Sequence, residues 1–280
     1  GAFAPIPADE IVMVTVRDAA QTVVMRRVDK EKFRVVQPVD YPADPYGTKT
    51  LAEKLSKLLF GDMVTDRADK HGEFEVDDAK GTRVTVEDKA GKVRADFLVG
   101  KYLNGATMMR AVGKKEVFQA IGSLKHVFAK DATGWRDKTI LEFSREEAQR
   151  LEITTVGGTI ALAKKDEKSW QVDSSPVAID NLDQAMATQI ISSLAALKTT
   201  GFADGAGAEA GLDEPLATLT VTLKDGKAHR VLVGALQGDN RFVRLADGKQ
   251  VFLMRKQSLE RLVRQPIEFR DKTVLSFKPD

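Results

Sequence analysis

The sequence predicts an α+β fold built twice: a tandem duplication of one domain, each copy a mostly antiparallel sheet with one long and one short helix. Three observations predict it. Trp135-Arg136-Asp137-Lys138-Thr139-Ile140-Leu141-Glu142-Phe143 returns 134 residues later as Phe269-Arg270-Asp271-Lys272-Thr273-Val274-Leu275-Ser276-Phe277. Short β-branched stretches alternate with Gly and Asp-Gly turns. One apolar stripe at helical spacing interrupts the strands of each copy.

The repeat extends well beyond its closing element. Leu98-Val99-Gly100 matches Leu232-Val233-Gly234, Arg110 matches Arg244, and Val117-Phe118 matches Val251-Phe252. Upstream the offset drifts, as loop insertions would make it. There Val14-Thr15-Val16 answers Leu151-Glu152-Ile153, Phe33 answers Trp170 and Asp44 answers Asp180. The copies are therefore expected at residues 9–145 and 146–280, after a linker or cloning scar at 1–8. A unit this long is a duplicated domain, not a solenoid repeat, and can bury its own core.

Within each copy the elements follow in order. Ile11 to Arg17 and Thr22 to Val28 read as paired strands, as do Leu151 to Val156 and Thr159 to Ala163 around Gly157-Gly158. Third strands follow at Phe33 to Val36 and Trp170 to Val172. The long helix carries Leu51, Leu55, Leu58 and Leu59 in one copy and Leu182, Met186, Ile190, Leu194 and Leu197 in the other. Asp180 is the expected N-cap of the second helix, Thr48 or Asp44 that of the first, and Gly61 and Gly201 are expected stops. Two hairpins come next, marked in the second copy by Asp225-Gly226 and Asp247-Gly248. A short helix is expected from Phe118 to Phe128 and from Lys256 to Val263. The Arg-Asp-Lys element then leads into last strands at Thr139 to Phe143 and Thr273 to Phe277.

Composition narrows the function classes. The chain is 42% apolar and 30% charged, with 43 basic and 41 acidic residues and a net charge of +2. That is an ordinary globular balance without the basic footprint of a nucleic-acid binder. No apolar run approaches the ~20 residues that span a bilayer, so no transmembrane segment is expected in this chain. Its start, Gly1-Ala2-Phe3-Ala4-Pro5-Ile6-Pro7, leaves room for an N-terminal signal or anchor that was removed. With no cysteine, disulfides, thiolate metal sites and cysteine nucleophiles are excluded.

The order of strand pair, aromatic-x-Val, helix, Gly211-Leu212-Asp213-Glu214-Pro215, two hairpins and Phe269-Arg270-Asp271-Lys272 resembles a bacterial domain-of-unknown-function family. Its members are often membrane-anchored and encoded beside gliding-motility-type ABC transporter subunits. Copy one departs at Phe74-Glu75-Val76-Asp77-Asp78, where the Gly and Pro are replaced. The resemblance implies an extracytoplasmic location, periplasmic or at the cell surface, with the full-length protein membrane-tethered. It also implies a membrane-protein partner among ABC-type transporter subunits. It supplies no catalytic residues.

No catalytic, cofactor or metal site is expected. His71, His126 and His229 fall in no ligand spacing, and a metal needs two to four convergent ligands. No G-x-S-x-G elbow, calcium loop or phosphate loop occurs. The one candidate partner surface is the repeated element: Trp135, Arg136, Asp137 and Lys138 with Arg270, Asp271 and Lys272. An Arg beside an aromatic can anchor an interface. Its presence in both copies favours architecture instead, a latch closing each domain. Functional surface is then expected where the copies differ: the loops at 62–77 and 203–211, and the seam between copies. The expected function is a non-catalytic extracytoplasmic accessory module of an ABC-type transport or motility complex. The alternative is a module binding an envelope polymer, glycan or peptide, through exposed aromatics such as Trp135 or Trp170.

Overall fold

The computed structural model describes residues 5–272. The chain folds as two compact units, the first ending at Asp137 and the second beginning at Lys138. In the first unit lie β1 (Met13–Arg17), β2 (Thr22–Arg27), β3 (Phe33–Gln37), β4 (Tyr41–Pro42), α1 (Pro45–Ser56) and β5 (Phe60–Thr65). β6 (Thr82–Glu87), β7 (Val93–Leu103), β8 (Ala106–Ala111), β9 (Val117–Ile121), α2 (Lys125–Phe128) and α3 (Ala132–Trp135) complete it. The second unit has β10 (Thr139–Glu142), β11 (Ala148–Thr155), β12 (Gly158–Lys164), β13 (Trp170–Ser174), α4 (Gln184–Ala195) and β14 (Ala196–Lys198). β15 (Gly201–Phe202), β16 (Ala217–Leu223), β17 (Ala228–Gln237), β18 (Asn240–Leu245), β19 (Phe252–Arg255) and α5 (Lys256–Glu260) follow. The expected last strand at Thr273 to Phe277 lies outside the described residues.

The α+β expectation is corrected. Among the described residues the chain is mostly antiparallel β-sheet in three sheets, 42% strand against 20% helix, with only small helices. The first unit is a nine-stranded sheet in the order β4-β3-β2-β1-β6-β7-β8-β9-β5. The second holds an eight-stranded sheet, β13-β12-β11-β16-β17-β18-β19-β15, and the separate pair β10-β14. The long helices stop at 12 residues, at Ser56 and Ala195, before the glycines expected to end them. The start of the stretch from Phe118 to Phe128, expected as a helix, continues β9 as far as Ile121, because its residues pair with β8 and β5. Gly122, at φ +95°, ends that strand, and only one turn winds afterwards at α2. A single turn cannot repay its nucleation cost alone, so such turns persist only where packing holds them.

Each sheet buries one face beneath its 12-residue helix. Val14, Val84, Phe97, Leu51, Leu55, Phe128 and Trp135 share the first core. Leu151, Ile153, Ile160, Ile190, Leu194 and Phe269 are buried in the second unit. Each such side chain contributes about 1.5–3 kcal/mol. Ile6, in the stretch expected as a linker, packs into the first core. The opposite faces are partly covered by the loops in which the copies differ. Val76 and Phe74 plug a small cluster with Leu98 and Met108, and Ala210 and Leu212 do so with Phe242 and Val251. These loops are therefore partly core.

The repeated Leu-Val-Gly has a steric cause in that covering. A Cβ on Gly100 would sit 2.2 Å from the Phe74 carbonyl oxygen, and one on Gly234 would sit 2.0 Å from that of Ala210. Only glycine lets loop backbone press this closely on the strand.

Candidate functional site

The Arg-Asp-Lys element grips the start of each helix. The Asp44 N–H donates to the Trp135 carbonyl (2.8 Å), and the Asp137 N–H donates to the Pro42 carbonyl (2.9 Å). In the second unit the Asp183 N–H donates to the Phe269 carbonyl (2.9 Å), and the Asp271 N–H to that of Asn181 (2.8 Å). The gripped aspartates are the N-caps. Asp44 accepts from the amides of Tyr46 and Gly47, and Asp183 from that of Met186. Asp183, not the expected Asp180, caps α4. A cap must reach the second or third amide of its helix, and the drifting sequence offset paired Asp44 with the wrong aspartate.

The side chains of the element divide by position. Trp135 and Phe269 are fully buried. Arg136 is buried with its guanidinium over the Tyr41 ring at 4.4 Å. Arg270 is exposed and donates through Nε to the Ala178 carbonyl (2.8 Å). Lys138, Asp271 and Lys272 are exposed and Asp137 is half-buried.

Fixing the helix start fixes a cleft beside it. In the first unit the cleft is bounded by the 3-10 turn Ala8–Glu10, the β2–β3 hairpin and the outer face of α1. Its volume is about 560 Å³. Phe33, Ala8 and Ala52 supply apolar wall, and Arg27, Lys30, Lys32 and Lys49 face Asp9, Glu31 and Glu53 around it. Tyr46 stands at the cleft's edge, 78% exposed. Arg27 is structural: its guanidinium lies over the Phe33 ring at 4.5 Å. It also donates to the carbonyls of Ile11 (2.7 Å), Ala8 (2.5 Å) and Lys30. Burial lowers its pKa, with Asp9 opposing. By contrast Lys30, Lys32 and Lys49 are exposed and, among the described residues, form no ion pair.

The same cleft recurs in the second unit at half the size, about 280 Å³. It lies between the 3-10 turn Arg145–Glu147, the β12–β13 hairpin and α4. Counted from the capping aspartates, Thr188 stands where Lys49 does, Ile191 where Ala52 does and Ser192 where Glu53 does. Ile191 is buried and puts a larger side chain at the place of Ala52. Gln184 locks Trp170 from both sides, accepting from its N–H and donating to its carbonyl, each at 2.8 Å. Glu146 is held by Arg145 and Ser144, which bring its pKa down to about 2.

Compared with protein families, the chain matches the domain of unknown function DUF4340 over residues 34–215 and again over 204–280. The chain belongs to the DUF4340 family. No curated protein matches it. The longer DUF4340 match begins in β3 of the first unit and ends just before β16 of the second, so the family's domain is not one structural unit.

Several expectations meet this DUF4340 structure directly. Trp170 is only 6% exposed and Trp135 fully buried, so neither offers a stacking platform. His71 bonds the Lys115 carbonyl (2.8 Å), His126 is exposed, and His229 stacks on Phe143 with centroids 6.2 Å apart. Among the described residues no group of three or more His, Cys, Asp or Glu could hold a metal. Among them too, no helix is long and apolar enough to cross a membrane. The residues of the first cleft, Phe33, Tyr46 and Ala52 above all, were not singled out from sequence as a site. The available signal was an alanine, Ala52, where the duplicated helix carries Ile191.

Proposed function

We propose that this DUF4340 chain is a non-catalytic extracytoplasmic accessory module of an ABC-type transport or motility complex. Its first-unit cleft receives a polypeptide segment of the membrane partner. The setting comes from the family resemblance. The observation that carries the binding role is the cleft beside Ala52, twice the volume of its duplicate beside Ile191. A site of a few hundred Å³ with an apolar wall and a few placed charges is an ordinary shape for a binding pocket. The rim lysines have no internal ion partner among the described residues, so they are available to carboxylates on a bound segment. The glycan alternative rested on Trp135 and Trp170, whose burial counts against it.

Ala52→Ile tests the reading. The second unit already carries Ile at this place on a helix of the same length. Full-length protein bearing it should keep its melting temperature and lose co-purification of transporter subunits from native membranes. Unchanged co-purification would remove the cleft from the account. Protease accessibility of the full-length protein in intact spheroplasts tests the location: protection from added protease would place it in the cytoplasm and end the proposal.

A further inference from the structure

The pair β10–β14 in the second unit has no equivalent among the described residues of the first. α4 runs directly into β14, which pairs antiparallel with β10 through Thr139↔Lys198, Leu141↔Leu197 and Glu142↔Ala196. Backbone bonds extend the ribbon: the Phe143 N–H donates to Ala195 (3.1 Å) and the Thr199 N–H to Lys138 (2.8 Å). Ile140, Leu141 and Leu197 are buried as a result.

α1 is equally long, so Lys57, Leu58 and Leu59 hold the places of β14. Among the described residues no strand pairs with them. Leu58 is only half-buried, Leu59 is 73% exposed, and nearby Ile121 is 83% exposed. These three, with Ala120, Leu124 and the Lys54 stem, line a cleft of about 270 Å³. The duplicate differs pointedly here. Lys198 stands where Leu59 does and Arg255 where Ile121 does, both exposed. The second unit turns charges to water at these places, and the first turns hydrocarbon. Adjacent exposed hydrocarbon beside a backbone edge that pairs with no strand among the described residues marks a site for strand addition.

We propose that residues 57–59 accept the segment Thr273–Phe277 of a second copy of this chain, added as β10 is added to β14. The segment that covers β14 is Thr139–Phe143, and the sequence repeats it at Thr273–Phe277. Val274 replaces Ile140, Leu275 replaces Leu141 and Phe277 repeats Phe143, each after an Arg-Asp-Lys. β10 follows one unit's Arg-Asp-Lys and completes the next, so the copy at 273–277 is suited to complete a first unit. The chain's own stretch before the 3-10 turn Ala8–Glu10 reads Ala2-Phe3-Ala4-Pro5, a poorer strand. It has alanine at the place of Leu141 and a proline that cannot donate. The contact is head-to-tail, so each copy offers one edge and one strand.

Two variants and their mixture test it in the full chain. Leu59→Lys with Ile121→Arg spoils the edge using residues the second unit carries, and Leu275→Lys spoils the strand. By sedimentation velocity the wild type should self-associate with rising concentration. Each variant alone should do so at least tenfold more weakly, and an equimolar mixture should form a one-to-one heterodimer. Matching circular dichroism melts control for folding. A wild type monomeric at all concentrations would overturn the proposal. So would association that survives both variants, or a mixture that stays monomeric. Hydrogen exchange showing residues 58 and 59 already protected in the monomer, and exposed by Phe3→Asp, would assign the edge to the chain's own first residues instead.

Discussion

Ala52 and Ile191 stand at the same distance from their capping aspartates, on helices of the same length, yet the cleft beside Ala52 is twice as large. Around both clefts the scaffold is shared. The Arg-Asp-Lys element holds the helix start by the same two backbone bonds in each unit, and a buried aromatic sits behind it. The comparison separates what the duplication kept from what it released. Backbone grips and core aromatics were kept, because losing either loosens a helix. Residues facing the cleft changed, with Ala52, Lys49 and Glu53 in one unit against Ile191, Thr188 and Ser192 in the other. The Arg-Asp-Lys element thus shapes the proposed binding cleft indirectly, by placing α1 and Tyr46.

The comparison predicts that shared features fail alike in both units. The largest effect is expected at the buried aromatics. Trp135→Ala and Phe269→Ala should each cost about 3–5 kcal/mol in denaturant unfolding, through lost burial and the cavity left behind. Trp135→Phe should cost far less. The second unit uses Phe, and the buried Trp135 Nε1–H has no hydrogen-bond partner to lose among the described residues. A cost for Trp135→Phe as large as for the alanine change would break the equivalence of the two latches.

A smaller effect is expected where strand and loop press together. Gly100→Ala and Gly234→Ala should each cost about 1–3 kcal/mol by overpacking. A Cβ at either place meets a backbone carbonyl that can yield only by moving the loop. If one change were silent, the loop over that strand would not be held as described.

The smallest effect concerns His229, whose counterpart on β7 is the buried Ala95. Burial, and then Lys227, lowers the His229 pKa, against opposing contributions from Asp247 and Asp225. The unfolded chain therefore takes up this proton at a higher pH than the folded one. Stability should fall as pH drops below the ordinary imidazole value of ~6.5, until the folded form also protonates. His229→Ala, the residue of the first unit, should remove that slope in thermal melts between pH 7 and 5. A slope that persists unchanged would assign it to other groups.

Repeated sequence made the duplication legible, because residues such as Phe269-Arg270-Asp271 recur with the architecture they serve. Local patterns were less reliable where tertiary pairing decides. Val117 to Ile121 has enough apolar residues for a helix, but neighbours on both sides claim it as β9. The cap at Asp183 was missed because an insertion shifts the sequence offset while hydrogen-bond reach does not shift. Thr139 to Glu142 read correctly as a strand, but nothing local reveals that its partner follows α4. The cleft was hidden for another reason. Ala52 is unremarkable until Ile191 is seen to fill the same place.

The most direct measurement of the central claim is site-specific photocrosslinking in native membranes. A photoreactive residue would replace either Tyr46 or Ala185, which holds the same place on α4. The account predicts a crosslink to a transporter subunit from position 46 and none from position 185. Equal capture at both positions, or capture from 185 alone, would contradict it.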